Sequence, residues 1–167
     1  MRRQDRELVS KDEIVQIINE SKAMQIAFVG GSEPYIVTLN FGYKWDSEKF
    51  PVFYFHSADQ GRKIDCIKNN PRVCFSLSIC DPLITGENAC NYGMKFRSIV
   101  GYGMMRIVCD DRERIEGLNL LMQKYTGKKD WHYETMEMKR TLVSCLEVES
   151  LTGKRKGTDL GKTGASD

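Results

Sequence analysis

The sequence predicts a mainly antiparallel β-sheet or small barrel with peripheral helices. Three observations carry that prediction. Apolar and polar residues alternate along Tyr35–Tyr43 and Val52–Ser57, the period of a half-buried strand. About six such segments occur, most of them joined by short connections. Helical segments do not alternate strictly with them, as a doubly wound parallel sheet requires.

Ser10 and Glu13 form a capping box, each able to satisfy the other's free backbone N–H. Ile14, Ile17 and Ile18 follow at helical spacing, so a first helix runs to about Ala23. Met24–Gly30 is a strand ending at the Gly30-Gly31 turn. Along Tyr35–Tyr43, residues Tyr35, Val37, Leu39, Phe41 and Tyr43 share one face. Ile36, Thr38, Asn40 and Gly42 share the other. A loop through Lys44–Pro51 leads to the strand Val52–Ser57, and the pair forms a hairpin or meander. Ile64 and Ile67 mark the buried side of a helix after Gly61, stopped by Asn69-Asn70-Pro71. Arg72–Cys80 is a strand, and Asp81–Lys95 is a long loop suited to a lid or an interface. Phe96–Cys109 is a long strand whose Gly101 and Gly103 admit a neighbouring backbone or a flat ligand. Asp110 and Glu113 open a helix with Ile115, Leu118, Met122 and Tyr125 on one face, closed by Gly127. Lys128–Arg140 is ambiguous between a short helix and irregular chain; Thr141–Ser150 is the last strand.

The chain has 167 residues, 41% apolar and 29% charged, which suits one globular domain over residues 1–156 with a flexible tail over 157–167. A formal charge of +2 is too small to argue for nucleic acid. No apolar run reaches the length of a membrane span, and the N-terminus has no signal-peptide core. The six cysteines form no C-x-x-C pair, so the expectation is a cytoplasmic protein with free thiols.

Side-chain catalysis is not advertised. There are two histidines, no G-x-S-x-G elbow and no H-E-x-x-H metal spacing. Gly101-Tyr102-Gly103 lacks the third glycine of a dinucleotide fingerprint and lies inside a strand. The informative segment is Val52–Asp65, in which a strand runs into a polar corner and then into a helix start bearing two cations. Free N–H groups and the helix dipole favour an anion there. Ser57 can donate a hydroxyl, Gly61 lets the backbone come close, and Arg62 or Lys63 supplies charge; the alternative is a corner with solvated charges. Thr38 and Asn40 either hydrogen-bond a polar planar ligand or simply face solvent. His56 shares a face with Val52 and Tyr54 and is either a structural histidine or a ligand contact. Trp131, His132 and Tyr133 either stack on a ring or pack.

Taken in order, Pro34–Tyr43, Tyr54–Ala58 with Gly61–Asp65, Asn70–Phe75, Phe96–Gly103 and Leu151–Lys154 resemble a known family. It is the nitroimidazole-resistance (Nim-like) branch of the pyridoxamine-phosphate-oxidase-like, flavin-binding split-barrel superfamily. The resemblance implies a six-stranded antiparallel split barrel working as a homodimer, with FMN, or sometimes FAD, at the subunit interface. It lays Val37, Thr38, Leu39 and Asn40 along the isoalloxazine ring and assigns the phosphate to His56, Ser57 and Ala58 with Arg62 and Lys63. Ser98 would approach the flavin, from its own or the partner subunit. The family commonly has proline where this chain has Thr38, so contacts at that strand differ in detail. The implied activity is reduction of a small aromatic or heteroaromatic acceptor such as a 5-nitroimidazole, the flavin carrying the chemistry. The alternative is a flavin or haem carrier or sensor without turnover, His56 being a possible axial ligand.

Overall fold

The computed structural model describes residues 6–8, 10–30, 33–46, 49–129, 131–134 and 140–157. The elements are β1 (Glu7–Leu8), α1 (Lys11–Glu20), β2 (Met24–Gly30), β3 (Glu33–Leu39), β4 (Gly42–Lys44), β5 (Val52–Ser57) and α2 (Arg62–Asn69). They continue with β6 (Arg72–Ile84), β7 (Gly93–Ile107), α3 (Asp111–Thr126) and β8 (Leu142–Lys156). A 3-10 turn occupies Ala89–Asn91. The mainly β class is as expected, but the described strands number eight, not six.

Two differences account for the count. The two-residue β1 pairs with β8, Glu7 opposite Lys154 and Leu8 opposite Gly153. The expected strand Tyr35–Tyr43 splits into β3 and β4 because tertiary bonds capture the backbone at its centre. The Phe41 N–H donates to the Tyr125 hydroxyl at 3.1 Å, and the Asn40 side-chain amide donates to the Lys22 carbonyl at 3.1 Å.

The chain forms two compact units, and β6, β7 and β8 contribute to both. In the smaller (residues 1–21, 77–99 and 152–167), Leu8, Ile14, Ile17, Ile18, Leu77 and Ile99 are buried. The Ser10 hydroxyl accepts from the Asp12 N–H, and so caps α1. Buried Arg97 grips Glu20 with two bonds of 3.0 and 2.7 Å. The long loop expected over Asp81–Lys95 is shorter than that, because β6 continues to Ile84 and β7 starts at Gly93. β2 pairs with β6 only over Val73–Ser76, so the later part of β6 leaves β2 behind and tolerates Pro82.

In the larger unit (residues 22–76 and 100–151) the strand order is β3-β2-β6-β7-β8-β5-β4. Register fixes the faces. Ile26 lies opposite Val37 and Phe75, and Phe28 opposite Tyr35 and Val73, which puts these side chains on one buried face. Phe53 packs there against Phe41 and Phe75, ring centroids 5.5 and 5.6 Å apart. Gly101 belongs to this face, where a Cβ would meet Phe75 at 2.5 Å. The close approach expected at Gly101 and Gly103 is thus to neighbouring protein, the β8 carbonyl of Glu147 in the case of Gly103.

The other face of β5 and β8 carries Tyr54, Val143 and Cys145, clustered with Val108 and Leu118 of the segment leading into and through α3. The Asp110 carboxylate caps α3 by accepting from the Glu113 N–H at 2.9 Å, and Gly127 closes it at φ 73°. The buried face of α3 differs from the expected one. Gly117, Leu118 and Leu121 are buried, whereas Ile115 is 42% exposed and Tyr125 36%. The helix lies so close to the sheet that a Cβ at Gly117 would meet the Tyr54 ring at 2.6 Å, and this turns Ile115 outward. Of the ambiguous Lys128–Arg140 segment, residues 130 and 135–139 lie outside the described residues, and 131–134 have no regular structure. The expected tail beyond Gly157 also lies outside them.

Candidate functional site

The site is built where β5 hands over to α2. The strand ends at Ser57, and the corner 58–61 turns the chain into a helix whose N-cap, Gly61, has φ 118° and offers no side-chain hydrogen bond. Only glycine adopts that backbone readily. The N–H groups of Ile64 and Asp65 both bond the Gly61 carbonyl, at 2.8 and 3.3 Å. Those of Arg62 and Lys63 have no acceptor among the described residues. Two orphan donors and the positive end of a helix dipole therefore face outward together.

Two cations frame this helix end. The Arg62 guanidinium lies 4.6 Å from the centroid of the Tyr35 ring. The Lys63 ammonium is half-buried and meets no carboxylate among the described residues; burial alone pushes its pKa down. A desolvated cation without a counter-charge is costly, and an anion bound at this point removes the cost. The Ser57 hydroxyl donates to the Ala58 carbonyl at 2.8 Å, so it must rotate before it can donate to a ligand.

His56 stands apart from this cradle. It pairs with Val143 across the β5–β8 ladder and so faces the α3 side, opposite to Ser57. It is exposed there at the strand's end, although it shares that face with half-buried Val52 and buried Tyr54. A cavity of about 350 Å³ is lined by Asp59, Val108, Cys109, Arg114, Leu142 and Val143.

Tyr35 leads directly from the anion corner to the second part of the site. β3 ends the strand order and among the described residues pairs with β2 alone, so alternate N–H and C=O groups along its outer edge have no ladder partner there. Val37 and Leu39 turn inward and are half-buried, while Thr38 and Asn40 are exposed on the outward face. That face is also apolar. Ile36 is 63% exposed and Val29 61%, and β7 adds Val100 and Tyr102, opposite in facing to Gly101.

At the far end of β3 stands a group of residues the sequence did not single out. The Tyr125 hydroxyl donates to the Lys22 carbonyl at 2.7 Å while accepting from Phe41 N–H. The Lys124 ammonium lies 4.6 Å from the Phe41 ring centroid. Burial first, and then repulsion by Lys22, lower its pKa to about 8. Lys22 and Lys124 are 102 positions apart, so no local pattern announces them.

Ser98 belongs to the smaller unit, half-buried on β7 between buried Arg97 and Ile99. Trp131 and Tyr133 are anchored to α3, the Asn119 side-chain oxygen accepting from the Trp131 N–H and the Tyr133 hydroxyl at 3.3 and 3.0 Å. Tyr133 is half-buried and packs against the Tyr54 cluster, whereas Trp131 and His132 are exposed. No group of three metal-ligating side chains occurs among the described residues, whose cysteines are all free thiols. No described helix is long and apolar enough to cross a membrane.

Residues 10–155 match the family described as pyridoxamine 5'-phosphate oxidase. No curated protein matches the chain. Among solved structures, a protein provisionally named for 5-nitroimidazole antibiotic resistance, from Bacteroides thetaiotaomicron VPI-5482, is 28% identical. The alignment covers 89% of this chain and 86% of that one, with a TM-score of 0.77. The FAD and haem binding protein of Mycobacterium smegmatis is 14% identical over 92% of this chain and 74% of its own, TM-score 0.79. The flavocytochrome Anf3 of Azotobacter vinelandii is 17% identical over 95% and 72%, TM-score 0.75. The last two likenesses show the fold, which is the split-barrel class that the family resemblance implies.

Proposed function

The chain belongs to the pyridoxamine 5'-phosphate oxidase family, and we propose that within it the protein is a homodimeric, FMN-binding oxidoreductase of the nitroimidazole-resistance type. The likeness to the Bacteroides protein supports that branch. One observation carries the cofactor. Lys63 is a half-buried cation without a described counter-charge, standing at a helix end with two unclaimed N–H groups. A phosphate monoester fits that cradle by charge and by donor count.

The residues fit the rest of the group as well. Ser57, Ala58, Arg62 and Lys63 would hold the phosphate. The open edge of β3 from Val37 to Asn40, Leu39 included, would hydrogen-bond the edge of the ring, and exposed Thr38 with its neighbours would line one side. His56, on the other face of β5, would act at the rim and not in the phosphate cradle, while Ser98 would approach the ring from its own or the partner subunit. When bound, the flavin supplies two-electron redox chemistry that no side chain here can supply. The protein binds it, orients it, and leaves room for a small aromatic or heteroaromatic acceptor such as a 5-nitroimidazole. We read residues 1–156 as one such cofactor domain, and the free thiols as belonging to a cytoplasmic protein.

The dimer is supported by the outward apolar face of Val29, Ile36, Val100 and Tyr102, which a second copy would cover together with a ligand lying on β3. Four of the solved relatives are flavocytochrome, FAD or haem proteins by name, which keeps FAD and haem as competing occupants. An anion cradle favours the flavin. The deciding experiment is an absorbance spectrum of the purified protein after FMN addition and removal of excess. About one flavin per subunit is the expected result. A Soret band lost in His56→Ala, or no retained flavin, would overturn the reading.

A further inference from the structure

β3 has a charged group at each end. Arg62 stacks on Tyr35 at its start, and the Lys124 ammonium stands over Phe41 past its finish, next to Asn40, whose amide donates to the Lys22 carbonyl. From Tyr35 to Asn40 the strand covers about 16 Å at 3.2–3.4 Å per residue. A phosphate held at the α2 end therefore leaves its ring lying toward the lysine end. Resting on the flavin reading above, we propose that the Lys124 ammonium meets the pyrimidine end of the bound isoalloxazine and stabilises the negative charge gained there on reduction.

The chemistry of the ring selects that end. Of its two ends only the pyrimidine carries carbonyl acceptors, and only it gathers charge when two electrons and one proton are taken up. The Asn40 amide and the Lys124 ammonium suit it, and a dimethylbenzene end would waste them. Lys124 is also held in place. Its ammonium rests on the face of Phe41, a residue 0% exposed, while Tyr125, next in the chain, clamps Phe41 and Lys22 with two hydrogen bonds. A cation already aligned by packing spends little entropy in meeting a charge that forms later.

The test is the midpoint potential of the full-length protein loaded with FMN, measured by equilibration with a reference dye. Lys124→Met keeps the stem that covers Phe41 and removes the charge. It should bind reduced flavin about tenfold less tightly relative to oxidised flavin, a fall of about 30 mV for a two-electron couple. Lys124→Arg keeps the charge and should stay near the wild-type potential. The inference is overturned if Lys124→Met and wild type share one potential while both hold flavin. If wild type holds no flavin, the parent reading falls and this one with it. A wild-type-like potential in Lys124→Met alongside flavin loss in Lys63→Ala would sink only the inference.

Discussion

The guanidinium of Arg62 lies 4.6 Å from the centre of the Tyr35 ring, tying the first turn of α2 to the start of β3. On the proposed reading this contact would join the phosphate corner to the strand edge that takes the ring. Replacing Tyr35 by Leu keeps an apolar side chain and removes the ring face, worth about 0.5–1 kcal/mol at a half-exposed site. Flavin affinity should fall two- to fivefold in a fluorescence titration. An unchanged affinity would mean that Arg62 needs no help from Tyr35.

The stronger effect belongs to Lys63. A hydrogen bond to a charged group contributes about 1.5–3 kcal/mol. Lys63→Ala should therefore weaken flavin binding about ten- to a hundredfold, with little loss of fold, because the ammonium has no described partner to abandon. Wild-type affinity in this variant would remove the phosphate from the α2 corner.

How much of this was legible in the sequence follows from distance along the chain. The β5–α2 corner could be read because strand, Gly61 and both cations are neighbours in sequence. The alternation of β3 could be read for the same reason, up to Leu39. It failed at Phe41, whose N–H is taken by a tyrosine 84 positions away. The same long-range bond hid Lys124, since a lysine in the last turn of a helix is ordinary by local rules. Periodicity also misplaced the buried face of α3, because Gly117 carries no apolar signal although its missing side chain is what lets Tyr54 pack. His56 was placed on the correct face, but that face leads away from Ser57.

Gly103 gives a prediction about the sheet. A Cβ there would run into the Glu147 carbonyl of β8, a backbone atom that cannot turn aside. Gly103→Ala should cost about 1–3 kcal/mol, which is a drop of roughly 2–12 °C in melting temperature for a chain of this size. A melting curve within a degree of wild type would mean that β7 and β8 are spaced more loosely than the structure has them.

Acid should weaken the larger unit through Glu113. The Arg106 guanidinium, with bonds of 3.0 and 2.7 Å, holds the Glu113 carboxyl below its usual 4.5, and the Tyr54 hydroxyl adds to the effect. Burial opposes it but does not win. A carboxylate whose folded pKa is depressed stabilises the fold above its unfolded pKa. That stability is lost as pH falls through the folded value. Between pH 7 and 3 the melting temperature should fall less steeply in Glu113→Gln than in wild type. Parallel curves would show that the pair contributes nothing to acid stability.

Ile36 tests the dimer. It lies on the outward face of β3, 63% exposed, on the same side as Val29 and Tyr102 and beside the ligand edge. A carboxylate there stays hydrated in a monomer but would be buried without a partner against a second apolar face, a cost of several kcal/mol. Ile36→Asp should shift the protein to monomer in analytical ultracentrifugation while the melting temperature of the monomer barely changes. Flavin should leave with the partner subunit, because the covered side of the ring is then open to water. Monomeric Ile36→Asp that binds flavin at wild-type strength would place the whole site within one chain, and a persistent dimer would place the interface on another face.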